Sequence, residues 1–422
     1  MKALWILAVV ALTPLTGCAG TDDEQTAVAE LNVNSRYTVE SVHVMGLRRV
    51  QISDPLRREL DKIIGSKYDD SALKRLADRI RKELHATDVK VNAVRGTEPD
   101  HLIVNFDVKA HEQPFDVNMA KFLYDTKQGW TGDGSATTHF AGNAFTFGLM
   151  SDGDSMIERF AGMRLKFQRP SLGTDRVGLR FEFDTFHEQW NEATLEAASP
   201  ADIYRTRQVF TPEATILIAQ PLDWSLGVSF ARFRIVDGGL GAKTESANAV
   251  VSTLRYHQRW GSASTTQEKD AQGQDLTAAY SIRAGTNILG SDSSYTRHMI
   301  DARYRIRRLH NTVEIGLLAG RMTGTAPLFE RFLLGDSSRL RGWNKFELDP
   351  IGGSRVVTGS IDYRYRFFTA FYDTGAVWDR GQDREAKQSA GVGLKKEPFQ
   401  LAVAFPLRAG RAEPIFYAGM NF

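Results

Sequence analysis

Arg331-Phe332-Leu333-Leu334-Gly335-Asp336-Ser337-Ser338-Arg339-Leu340-Arg341-Gly342-Trp343 is the stretch that decides the fold. An aromatic and aliphatic run meets a Gly-Asp-Ser-Ser turn, and an arginine follows between Leu340 and Gly342. That layout suits a loop folded inward to lodge one cation in a polar cavity, with Gly342 letting backbone pass closely. Taken alone, it is equally a surface turn that carries an arginine. Downstream, Ala370-Phe371-Tyr372-Asp373-Thr374-Gly375-Ala376-Val377-Trp378 alternates large apolar with small or polar residues and sets one carboxylate in mid-strand. An ionised Asp in a barrel wall needs a partner. Arg341 and Asp373 are therefore expected to meet inside a barrel as a charge-assisted pair, with Asp373 and Gly375 as its wall side.

The rest of the chain supplies the wall. Beyond His111 no helix is convincing, and period-two alternation recurs: Ala161, Met163, Leu165 and Phe167 against Gly162, Arg164 and Lys166, and Val177, Leu179, Phe181 and Phe183 against Gly178, Arg180 and Glu182. Ile300 to Ile306, Val313 to Ala319, Ile361 to Phe367 and Leu401 to Phe405 read the same way. Counting segments gives about sixteen strands, an even number as a closed bacterial barrel requires. The first two are the weakest, because Lys121 interrupts Phe115 to Tyr124 and Lys127 to Gly134 reads as loop. A soluble sandwich also alternates, but its inner faces pack on one another and rarely repeat through so many successive hairpins. The chain closes on Ile415-Phe416-Tyr417-Ala418-Gly419-Met420-Asn421-Phe422, where Phe416, Met420 and Phe422 share one apolar face and form the carboxy-terminal barrel signal.

Composition agrees with strands that show one apolar and one polar face. The 422 residues carry a formal net charge of +2 and abundant Gly and aromatics, which argues against a nucleic-acid binder. Apart from residues 3 to 12, no apolar run approaches the ~20 residues that a spanning helix needs, so membrane residence must be through strands. Lys2, the apolar core Ala3 to Leu12 and the small residues that follow read as a secretory signal. Leu15-Thr16-Gly17-Cys18 fits a lipoprotein box in which Cys18, the single cysteine, is lipidated, while Gly17-Cys18-Ala19 also satisfies the rule for ordinary cleavage after Ala19. Residues 19 to 36 read as a flexible linker.

The two motifs together resemble those of the outer-membrane barrel insertase superfamily that includes BamA, TamA and the two-partner secretion transporters. In that superfamily a Val-Arg-Gly-Phe/Tyr loop tip is pinned to a strand Asp. Here the tip is Leu340-Arg341-Gly342-Trp343, matching at Arg and Gly and departing at both ends. Residues 37 to 110 read strand, helix, helix, strand, strand, with Asp54-Pro55 opening the first helix, Asp69 to Ser71 opening the second, and Gly96 to Asp100 turning the last hairpin. This unit looks like one POTRA domain, the periplasmic module of that superfamily. The expected fold is thus a small α+β POTRA-like domain followed by a transmembrane antiparallel β-barrel over residues 113 to 422.

The resemblance implies a bacterial outer-membrane protein that assists insertion or translocation of client polypeptides, by strand templating on the POTRA edge and the barrel seam. A passive pore or structural surface barrel is the alternative. A two-partner secretion transporter is a poorer match, since it normally carries two POTRA domains and a plug helix. The expected partners are outer-membrane lipids and client polypeptides, with the chain a monomer. No enzyme, cofactor or metal is expected: the sequence has no His-Glu-x-x-His, Gly-x-Ser-x-Gly or phosphate loop. Gly335-Asp336-Ser337 lacks a histidine motif to accompany it, and Asp152-Gly153-Asp154 lacks the glutamate of a calcium loop and reads as a hairpin turn. Arg303, Arg305, Arg364 and Arg366 are expected to line a polar interior.

Overall fold

The computed structural model describes residues 36–45, 54–84, 86–110, 115–174, 176–237, 241–260, 273–410 and 413–420. Cys18 with its signal and lipoprotein box, most of the 19–36 linker, and Phe422 lie outside the described residues. The N-terminal unit runs β1 (Thr38–Met45), α1 (Asp54–Ile63), α2 (Asp70–Glu83), β2 (Ala86–Arg95) and β3 (His101–Ala110), with sheet order β1-β3-β2. Asp69 caps α2 by accepting from the amides of Ser71 at 2.9 Å and Ala72 at 3.2 Å, which satisfies two of the helix's orphan donors. Leu73, Leu76 and Ile80 then recur on one face and bury against Phe106 and Val104 of the central strand. Strict alternation fails in β1, where a register shift between Val39 and Ser41 lets Val39, Val42 and Val44 all meet that core.

The barrel strands are β4 (Phe115–Asp125), β5 (Gly129–Phe140), β6 (Asn143–Asp152), β7 (Arg159–Arg169), β8 (Val177–Gln189), β9 (Tyr204–Ala219), β10 (Leu222–Asp237), β11 (Gly241–Ser246), β12 (Ala249–Trp260), β13 (Gly273–Gly285), β14 (Ser294–Arg308), β15 (Asn311–Thr325), β16 (Arg355–Tyr365), β17 (Phe368–Trp378), β18 (Lys387–Lys396), β19 (Phe399–Pro406) and β20 (Ile415–Met420). They close into one antiparallel barrel in which β20 pairs with β4. β11 is an added piece: β10 pairs with β12 along Leu222–Ser229 and with β11 along Arg232–Asp237. Without it the ring has sixteen staves. The stretch from Gly129, read from sequence as loop, is strand, because its backbone pairs with β4 from Gly129 and with β6 from Gly132. Two short helices, α3 (Glu192–Ala197) and α4 (Lys345–Leu348), sit in loops where no helix was expected. Each is opened by an asparagine cap, Asn191 and Asn344.

Strand β6 shows why this is a membrane wall. Phe145, Phe147 and Leu149 are 41, 40 and 60 % exposed, while Thr146, Met150 and Asp152 between them are buried in the lumen. An apolar row this exposed, repeated from stave to stave, is untenable in water and natural against acyl chains. Inside, charges are paired across strands: Arg164 donates to Asp184 at 2.8 Å, and Arg207 lies 3.2 Å from Glu188. Arg303, Arg305 and Arg364 lie on lumenal positions, whereas Arg366 is exposed in the β16–β17 turn, at a φ of 55°.

Glu40 ties β1 to the far hairpin, accepting from the Thr97 hydroxyl at 2.5 Å and the Thr97 amide at 2.8 Å. These bonds, the hydroxyl's first, hold its carboxyl below the usual glutamate range. The tie is therefore complete above the unfolded value of about 4.3 and is lost as pH falls through the lower folded value. Glu40→Gln should flatten the acid dependence of amide-exchange protection at Thr97 in the full chain. An acid profile identical to wild type would reject the tie.

Candidate functional site: a loop clamped in the lumen

Between β15 and β16, residues 326–354 fold into the barrel instead of out of it. Phe332, Leu334, Leu340 and Trp343 pack with Leu318, Met322 and Val356 of the wall, which puts the loop's apolar residues out of water. Asp336 folds the turn by accepting from the Ser338 and Arg339 amides at 2.7 and 2.6 Å. The chain then passes Leu340 at a φ of 56°, a conformation costly for a leucine, and delivers Arg341 to the wall.

Arg341 meets two strands at once, β16 and β17. Its Nε donates to Asp373 Oδ2 at 2.8 Å, its Nη2 to Asp373 Oδ1 at 2.7 Å, and its backbone amide to Oδ2 at 2.9 Å. Nη2 also donates to Asp362 Oδ1 on β16 at 2.6 Å, and the guanidinium lies 3.7 Å from the Phe371 ring centroid. Asp373 is fully buried and Arg341 is 8 % exposed. Such a bidentate pair satisfies the carboxylate that would otherwise be stranded in mid-strand. The strand register places Asp373 in one lumenal row with Arg303, Gly316, Ser360 and Ser389, so the clamp sits on the wall's own ladder.

The flanking tip residues have separate jobs. Gly342 adopts a φ of 90°, and a Cβ there would stand 3.1 Å from Ala404 on β19. Its amide donates to the Tyr417 hydroxyl of β20 at 3.0 Å. Trp343 donates its indole N–H to the Gln388 carbonyl of β18 at 2.8 Å, a bond that a phenylalanine there could not make. Gly375 lets Leu334 approach, since an added Cβ would lie 3.0 Å from its Cδ1. Phe416 points outward and Met420 pairs with Phe122 of β4, so both lie at the seam and away from the clamp.

A second attachment lies across the lumen. Asp154, in the β6–β7 loop and only 2 % exposed, accepts from the Ser337 amide at 2.9 Å and the Ser337 hydroxyl at 2.6 Å. It also takes Lys121 of β4 at 2.6 Å. Lys345 reaches the Gly153 carbonyl at 2.5 Å and the Met156 carbonyl. The hairpin turn expected at Asp152-Gly153-Asp154 is instead a loop over 153–158, opened by Asp152 at the end of β6 accepting from the Asp154 amide at 2.7 Å; the second aspartate of that run was the available signal for this latch. Asp362, Phe371 and Tyr417 had weaker signals, being residues whose lumenal parity says only that they face inward.

A model of the Omp85 superfamily domain matches residues 158–416, more than half of the chain and inclusive of the inward loop and Asp373. The chain belongs to the Omp85 superfamily. Its barrel accordingly resides in the bacterial outer membrane. The outer membrane protein assembly factor BamA of Nitratidesulfovibrio vulgaris is 22% identical over 391 residues, covering 84% of this chain and 47% of that protein. The Omp85 chain described here thus spans about half the length of that relative. In fold it is similar to BamA from Haemophilus ducreyi lacking POTRA domains 1–3, at a TM-score of 0.59 and 14% identity over 92% of this chain and 85% of that one. It is similar also to CdiB from Acinetobacter baumannii, at a TM-score of 0.52 and 12% identity over 91% and 74% of the two chains.

Arg341→Ala should destabilise the barrel by about 3–5 kcal/mol, because it leaves Asp373 buried and unpaired. Arg341→Lys should recover little, lacking the planar fork. Arg341→Met combined with Asp373→Leu should cost clearly less than either orphaning change alone. The midpoint of the heat-induced gel-mobility shift of the full protein reports all of these, and a wild-type midpoint for Arg341→Ala would remove the clamp from the account.

Proposed function

We propose that this Omp85 protein assists the insertion or translocation of polypeptides at the outer membrane by templating β-strands at the seam between β4 and β20. The observation that carries this reading is the seam itself. β4 pairs with β5 along Phe115–Asp125, yet among the described residues β20 pairs with β4 only from Phe122 to Asp125. Neighbouring staves such as β14 and β15 pair along Ser294–Arg308, so parting β4 from β20 costs far less than parting any such pair.

Parting needs a wall that stays whole when one joint opens, and the loop is suited to that. It grips β17 through Asp373, β18 through Gln388 and the β6–β7 loop through Asp154. The same loop fills lumen that a passive pore would keep open, which weighs against that alternative. The N-terminal unit, POTRA-like in its strand and helix order, offers β1 and β2 as sheet edges where an extended client segment can add a strand before reaching the barrel. Catalysis by side chains has no part in this reading.

A disulfide across the seam tests it. Phe122→Cys with Met420→Cys joins two directly paired positions. Oxidation should lower the level of assembled outer-membrane proteins in cells that depend on this chain, and reductant should restore it, while either single variant stays at wild type. Full client assembly with the seam locked would overturn strand templating there.

A further inference from the structure

The lumen holds a second feature that neither the clamp nor the seam uses. β13 and β14 set Arg283 and Arg297 directly opposite each other, both facing inward. Side chains at such a pair start ~4.5–5.5 Å apart, and like charges there repel. Arg339 from the inward loop lines the same chamber of about 390 Å³, as do Arg164, Arg180, Arg207 and Arg331, each of these four paired with a carboxylate of its own.

The carboxylates do not match these cations one for one. Glu330 lies 2.9 Å from Arg283 and also accepts from the Tyr295 hydroxyl at 3.0 Å. Asp301 takes Arg339 at 3.3 Å. Arg297 has no carboxylate in ion-pair range among the described residues. Its guanidinium lies 4.4 Å from the Phe332 ring centroid, with Nη2 3.7 Å from the Met299 sulfur. Its buried Nε meets no hydrogen-bond partner among the described residues. A desolvated cation left this way is costly unless an anion completes it.

We propose that this chamber is a binding site for a phosphate-type oxyanion, held between Arg297 and Arg339 with Arg283 behind. Two guanidinium forks suit the geometry of a tetrahedral oxyanion carrying two charges. The volume suits a phosphate or small phosphomonoester with its waters and is too small for a polypeptide segment. Because Arg339, Glu330 and Phe332 belong to the loop while Arg283 and Arg297 belong to the wall, the anion joins loop to wall at β13 and β14, apart from the clamp on β17. Binding therefore favours the loop-in arrangement.

The test uses the full-length protein in detergent, with inorganic phosphate and glycerol 3-phosphate as probes. Each should raise the unfolding midpoint saturably, by roughly a few degrees, beyond sodium chloride at equal ionic strength. A response to inorganic phosphate alone identifies a free ion; a response to both identifies a site that also accepts phosphate carried on a headgroup. Arg297→Gln should abolish the saturable rise, while Arg303→Gln, which alters an arginine paired with Glu314 at 3.1 Å outside the chamber, should keep it. Chloride or acetate matching phosphate would overturn the site, as would a rise that survives Arg297→Gln. Equilibrium dialysis of labelled phosphate against the wild-type protein decides the matter independently of how the variant folds, and the absence of saturable binding there would equally reject it.

Discussion

A carboxylate in the middle of a barrel strand, with no water to reach it, is the constraint on which the rest of the structure depends. Asp373 would be stranded there without a cation, and no neighbour on β16 or β18 supplies one at its level: the register puts Ser360 and Ser389 beside it. The cation comes instead from a loop more than thirty residues of chain away, so satisfying one charge dictates where a whole segment goes. Against well-packed apolar residues a buried ion pair of this kind gains little stability. Its value is positional, because a guanidinium that must meet two oxygens in one plane fixes the loop tip to within a fraction of an ångström.

Once the tip is fixed, the remaining contacts fall on both flanks of the seam. Gly342 holds β20 through Tyr417, and Ser337 meets the Asp154 that also takes Lys121 of β4. The loop thus spans the inside of the joint that the strands themselves close over few residues. The rest of the lumen is a field of arginine and carboxylate pairs, costly to dehydrate singly and tolerable together, which keeps the interior polar while the outer face meets lipid.

Much of this architecture is legible in the sequence because a membrane barrel writes its two faces in period two, and because a loop tip needing an arginine and a positive-φ glycine has few spellings. Strand identity survived even where composition was poor, since β5 is held by backbone pairing and not by propensity. What stayed hidden depends on three-dimensional register. Val39, Val42 and Val44 break parity because of a bulge that no local residue announces. Asp154 reads as half of a turn, and only the closed ring brings it to Ser337. Arg297 looks like any lumenal arginine until the β13–β14 register sets Arg283 opposite it.

The two ties across the seam differ in kind. β20 meets the loop where the Gly342 amide donates to the Tyr417 hydroxyl, a neutral bond worth roughly 0.5–1.5 kcal/mol net. β4 meets it through Lys121 and Asp154 of the β6–β7 loop, a buried charge-assisted bond of about twice that strength, with Asp154 held in turn by Ser337. In the proposed opening of the joint, the charge-assisted tie keeps the β4 side on the interior. The edge of β4 then stands fixed against a rigid interior. A fixed edge is what templating requires, since an incoming strand can gain backbone hydrogen bonds only from donors and acceptors that are already aligned.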